Sequence, residues 1–186
     1  MSSEEKQRAA ADQVGLEWVG ECRVLRSVSD QQGVPTVEGD LVPLLIGQKI
    51  RSHMIVLHPG QYCFAHPHDT ESIIYTVSGR WVFCTTEDDE EVRVVINEGD
   101  LFHFPGGVPT GFETPFDEGA SILIVKSGSG SYEEMKESME EVQGMLAEDA
   151  ASGTPYFMKD LSPDHAAHVF ARQAGGADIA ESGSRQ

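Results

Sequence analysis

The sequence predicts an all-β fold, an antiparallel barrel or jelly roll with a short N-terminal extension and C-terminal helices. Three observations carry that prediction. From about Leu16 to Lys126, short apolar runs are separated by Gly, Pro, Asp and Asn. Those runs are rich in Val, Ile, Phe, Tyr and Thr, which suit a pleated, half-buried surface. After Lys126 the apolar spacing changes from two residues to three and four, as strand gives way to helix.

Taken in order, residues 1–15 are rich in Ala, Glu, Gln and Arg and read as a frayed helix or mobile N-terminal extension. Residues 16–127 form the expected barrel. Its strand candidates are Leu41–Ile46, His53–Leu57, Ser72–Val77, Trp81–Thr85, Val92–Ile96, Leu101–Phe104 and Ser121–Val125. That many short strands mean a sandwich, jelly roll or small barrel. The acidic run 87–91 reads as a solvated hairpin tip, because a calcium loop needs spaced oxygens and a glycine bend. Residues 128–174 are the expected helical extension. Ser131 to Glu134 resembles a capping box. Tyr132, Met135, Met139, Val142 and Met145 then mark one helix face, read as packing against the barrel. A second helix is expected from Ser162-Pro163, with Ser as cap, through His165, His168 and Phe170 to about Gln173. Residues 175–186 read as a disordered tail.

Composition excludes several classes of partner. The 186 residues hold 31 Asp and Glu against 13 Lys and Arg, a formal net charge of −18. Such an acidic protein repels polyanions and anionic membrane surfaces, so neither nucleic acid nor membrane is an expected partner. The opening residues carry acids and no apolar core, and no apolar run approaches the roughly 20 residues that span a bilayer. Three widely spaced cysteines, Cys22, Cys63 and Cys84, lack a C-x-x-C pair and read as reduced thiols of a cytoplasmic protein.

The chemistry concentrates between Gly60 and Gly79. His66 and His68 stand two residues apart, so on a strand both imidazoles project from one face and can reach one ion. A carboxylate shortly after them would complete a two-His, one-carboxylate site with open positions for substrate. The surrounding spacing resembles the cupin superfamily, whose first motif is G-x5-H-x-H-x3,4-E-x6-G and whose second is G-x5-P-x-G-x2-H-x3-N. Gly60, His66, His68 and Gly79 match the first, and Gly99, Pro105 and Gly107 match the second. The resemblance covers roughly residues 40 to 126. It implies a cupin-type β-barrel with its site inside the mouth and one divalent transition metal (Fe, Mn, Ni or Zn). By analogy it also implies a homodimer.

Two departures bear on function. Ser72 stands where the motif's carboxylate belongs, and Glu71 is one residue early, which on a regular strand points it to the other face. A bulge or loop at Asp69-Thr70 could restore it. Thr110 replaces the last histidine, and Thr114 the asparagine. The expected metal set is therefore His66, His68 and His103, with Glu71 as carboxylate and Asp69 as a weaker substitute. His58 is a further candidate, while His165 and His168 read as helix surface. Counting back by twos from His66 places Phe64 and Tyr62 inside the barrel, and the family's usual alternation after the glycine implies the same for Trp81 and Phe83, as pocket walls or core filling, with Cys63 and Cys84 outside. Two readings stay open. One is a metal-dependent enzyme of dioxygenase, isomerase, decarboxylase or lyase type acting on a small organic substrate. The other is a metal-free cupin that binds a small molecule as a sensor or accessory protein, or uses His66 or His68 as a base. A third, a partner-binding module built on the Met-striped helix, is the weakest.

Overall fold

The computed structural model describes residues 13–88 and 90–176. Residues 1–12 of the expected extension, Asp89 in the acidic run and residues 177–186 of the expected tail lie outside them. In chain order the strands are β1 (Leu16–Val19), β2 (Cys22–Leu25), β3 (Val34–Thr36), β4 (Gly39–Ile46), β5 (Ile50–Leu57) and β6 (Tyr62–Pro67). They continue as β7 (Ser72–Glu87), β8 (Glu90–Asn97), β9 (Leu101–Phe104), β10 (Pro109–Glu113) and β11 (Ala120–Ser127), followed by helices α1 (Tyr132–Ala151) and α2 (Ala166–Gln173). β1 and β2 form a separate hairpin. The other strands form one antiparallel sheet in the order β3-β4-β5-β11-β7-β10-β6, with β8 and β9 also paired to β7.

One long strand, β7, stands where the sequence predicts two strands separated by a turn at Gly79. The chain does not turn there; it bulges. Against β11, Ser121 pairs with Ser78 and Ile122 with Thr76, so Val77 is the unpaired extra residue. Gly79 has φ +76°, and a Cβ on it would lie 2.1 Å from the carbonyl oxygen of Gly119. Glycine is required on both counts. The bend lets the first half of β7 pair with β9 and β11 while the second half pairs with β8 and β10. Glu87 and Glu90 oppose each other at the acidic hairpin tip.

Ladder register sorts the inner face into layers. Arg51, Lys126, Ser72 and Phe104 align across β5, β11, β7 and β9. Two residues further in lie His53, Ile124, Ile74 and Phe102, and below them Ile55, Ile122 and Thr76. Trp81 closes the bottom, its indole N–H donating to Thr76 Oγ1 at 3.0 Å. The core is thus apolar at depth and polar at one end.

Helix α1 carries the expected capping box: Ser131 Oγ accepts from the Glu134 N–H, and the Glu134 carboxylate accepts from the Ser131 N–H at 2.7 Å. Met135 and Met139 are buried against Val34, Leu41 and Ile46, whereas Met145 is exposed. Helix α2 starts later than Ser162-Pro163. Its cap is His165, whose Nδ1 accepts from the Ala167 N–H at 3.2 Å. His168, expected on the helix surface, is buried and donates from Nε2 to the Met158 carbonyl at 2.8 Å. This C-terminal segment packs on Tyr62 through Met158, Ala167 and Ala171. All three cysteines are free. No described helix is long and apolar enough to cross a membrane.

Candidate functional site

The inner layers enclose a cavity of about 370 Å³. Its walls come from the barrel, with Trp81, Phe83, Phe102 and Phe104 contributing aromatic faces. Met135, Met139, Val142 and Leu146 of α1 cover one side. Phe83 and Phe102 have ring centroids 4.9 Å apart, and Trp81 meets Phe83 edge-on at 6.4 Å.

His66 and His68 both line this cavity, with ring centroids 4.4 Å apart. His66 Nδ1 lies 3.0 Å from the Phe64 carbonyl, an acceptor, so that nitrogen carries the proton and Nε2 is left free. Burial, then the neighbouring His66 and Lys126, holds His68 below the ordinary histidine range. It is therefore a neutral imidazole at pH 7. Cys63 approaches His66 Nδ1 at 3.7 Å and points its thiol at Glu38 Oε1, 3.1 Å away. Burial and the Glu38 charge push the Cys63 thiol up, and burial raises Glu38 as well.

The other expected ligands are not brought to this pair. Glu71 and His103 meet each other instead, Oε1 to Nε2 at 2.7 Å, with side chains 69% and 51% exposed. His103 pairs with Ile73 across β7 and β9, so alternation sends its neighbours Phe102 and Phe104 inward and His103 out. The chain bends at Asp69-Thr70, but the bend does not turn Glu71 into the cavity, and Ser72 occupies the inward position. Asp69 is exposed, and His58 pairs with Asp40 at 3.2 Å on the surface. Thr110 lines the cavity at the place of the motif's last histidine. Among the described residues, no three His, Cys, Asp or Glu side chains converge as a metal set. Cys63 approaches His66 on its Nδ1 side, away from the nitrogen left free for an ion, and Glu38 is engaged by the Cys63 thiol. The residues present do not fit the four-ligand metal of the family motif.

The expected pocket residues divide. Trp81 and Phe83 line the cavity, but Tyr62 is buried outside the barrel and Phe64 is 41% exposed. The cause is a bulge in β6. Thr110 pairs with His66 but Phe112 with Cys63, so Phe64 and Ala65 together oppose Gly111. A Cβ on Gly111 would stand 2.4 Å from the Cys63 carbonyl oxygen. The extra residue reverses the alternation, turning Cys63 inward and Tyr62 outward. Cys84 is buried and does not line the cavity.

Sequence reasoning missed the ionisable cavity residues Glu38, Arg51, His53 and Lys126. Three had a readable signal. Arg51 and His53 are in phase with Ile55, and Lys126 is in phase with Ile122 and Ile124, so each continues an inward apolar row. His53 is 7% exposed, and its Nδ1 has no hydrogen-bond partner. Burial, then Lys126 and Arg51, holds it down to about 3.

Residues 53–126 match the family described as Cupin domain. No curated protein matches the chain. Among solved structures, a Bacillus subtilis oxalate decarboxylase with Mn(II) centres is 21% identical, with 82% of this chain and 37% of that chain covered and a TM-score of 0.49. An RmlC-like cupin from Shewanella frigidimarina is 16% identical over 61% of this chain and 94% of that one, with a TM-score of 0.47. A Thermus thermophilus protein is 21% identical over 48% and 83%, with a TM-score of 0.42. The chain thus spans little more than a third of the decarboxylase. The barrel, its inward histidine pair and the match over residues 53–126 agree, and the chain carries a cupin domain.

Proposed function

We propose that this protein binds a small organic molecule in its barrel, with His66 and His68 serving that ligand in place of a complete metal set. The observation that carries the reading is the pair of hydroxyls, Ser72 and Thr110, lining the cavity at the motif positions of a carboxylate and a histidine. A cavity of about 370 Å³ with aromatic walls and convergent polar side chains suits such a ligand. Neutral His68 is then a hydrogen-bond acceptor and a base toward whatever lies beside it.

A second reading, a divalent-metal-dependent enzyme using Fe, Mn, Ni or Zn, is favoured by one observation. The two imidazoles stand 4.4 Å apart, within reach of one ion. Elemental analysis of untagged protein, purified without chelators, separates the readings. Substoichiometric, mixed metal and an organic molecule released on denaturation, seen by mass spectrometry, are the expected result. One equivalent of a single transition metal, lost in a folded His66→Ala variant, would overturn the proposal in favour of the enzyme. Homodimer formation belongs to the same proposal. The exposed apolar residues Ile73, Tyr75, Val77 and Leu101 give a second copy a surface to bury, and light scattering of the purified protein reads the mass directly.

A further inference from the structure

We propose that the Arg51–Lys126 end of the cavity binds the anionic head of an organic acid, whose apolar body fills the aromatic layers beneath. The inference deepens the small-molecule reading above and rests on it. Arg51 and Lys126 both line the cavity and stand directly opposite each other across the β5–β11 ladder. Like charges in that position repel. Neither has a carboxylate within ion-pair distance among the described residues, although the chain holds 31 acids. The Arg51 Nε is buried and makes no hydrogen bond. A buried guanidinium N–H with no acceptor is costly, and an anion supplies the acceptor.

The surroundings agree with that assignment. A Cβ on Gly128 would lie 2.9 Å from Arg51 Cδ and 3.0 Å from Nε, so the glycine leaves room for the side chain to lie where it does. Burial and the Arg51 charge lower Lys126 to about 8, and an anion between the two would reverse that. The acid of the cavity, Glu38, sits toward the other end: it precedes Gly39, whose Cβ would meet the Val56 carbonyl. Val56 is five residues along β5 from Arg51, about 17 Å on an extended strand. Beneath the cationic end the lining turns apolar through Ile124 and Phe102 to Trp81. The ligand this polarity selects carries its charge at one end.

Two probes with the same carbon skeleton test it by calorimetry at neutral pH: 4-phenylbutanoate and the uncharged 4-phenylbutanol. The acid is expected to bind the wild-type protein about tenfold tighter than the alcohol or better. Arg51→Met should bring the acid to within about twofold of the alcohol while leaving the alcohol unchanged, and Lys126→Met should act in the same direction. Because each variant removes one of two opposed like charges, neither should lower the melting temperature. Lys126→Met carries the same comparison should Arg51→Met not fold. Equal binding of acid and alcohol to the wild type would overturn this inference and leave the small-molecule reading standing. Binding of neither would overturn both. A lowered melting temperature in both variants, with acid binding intact, would assign the two cations a structural role and also defeat the inference.

Discussion

His53 gives the sharpest test of the cavity as described. Its imidazole is buried and held down to about 3, first by burial and then by Lys126 and Arg51. The folded protein refuses a proton that the unfolded chain accepts near pH 6.5. Between those values the unfolded state binds more protons, so stability is complete above about pH 6.5 and falls as the pH drops toward 3. From about pH 7 to pH 5, a window in which most carboxylates stay ionised, the loss from this one residue is about 2 kcal/mol. His53→Leu removes the titrating group and the unpartnered Nδ1. Guanidinium unfolding, followed by fluorescence of the buried Trp81, should show the wild type losing about 2 kcal/mol more than the variant across that window. Both proteins retain His68 and His165, which are also lowered mainly by burial and contribute equally to each. Parallel pH profiles would refute the reasoning.

Three further outcomes are expected. Gly79→Ala, facing the Gly119 carbonyl oxygen at 2.1 Å with φ +76°, should cost roughly 2 kcal/mol or more in thermal unfolding; a near-neutral effect would place the bulge elsewhere. Arg93 bonds Glu113 at 2.8 Å with side chains 5% and 0% exposed. Arg93 also bonds Glu91, 42% exposed, at 2.8 Å, so Glu113→Ala should lose roughly 3 kcal/mol, and the double variant Arg93→Met with Glu113→Leu distinctly less, because Glu91 only partly compensates the buried cation. Thiol labelling of the native protein should modify exposed Cys22 quickly and spare Cys84, held up to about 11, and Cys63 until the protein unfolds. Fast labelling of all three would mean that the fold opens readily on both faces of the sheet.

The strands were legible because their alternation follows directly from the pleat. Leu41–Ile46, Leu101–Phe104 and Ser121–Val125 all fall inside observed strands. Ser131 to Glu134 showed the helix start for the same reason, since a capping box is a local pattern with a local cause. What sequence reading lost were the bulges. One extra residue at Phe64-Ala65 reversed Tyr62 and Cys63, and one at Val77 turned a supposed turn at Gly79 into continuous strand. A bulge depends on the partner strand, here on Gly111 and Gly119, and leaves little trace in its own segment. The same limit governs the site. His66 and His68 were found because two residues on one strand share a face, whereas Arg51, His53 and Lys126 meet through pairing of strands some seventy residues apart.

The order of strands in the sheet differs from their order along the chain, and that matters while the protein is being made. β10 lies between β6 and β7, and β11 between β5 and β7, so the last two strands of the barrel occupy interior places. Until residue 127 has left the ribosome, β5 and β7 each keep an edge that only β11 fills. The β7–β8 hairpin is local and can form early, but the barrel closes only after synthesis has passed β11. During that interval the open edges of a growing chain are the surfaces that neighbouring chains could pair with. Its strongly acidic composition then acts in time as well as in space, keeping nascent copies apart until the last strand slides home.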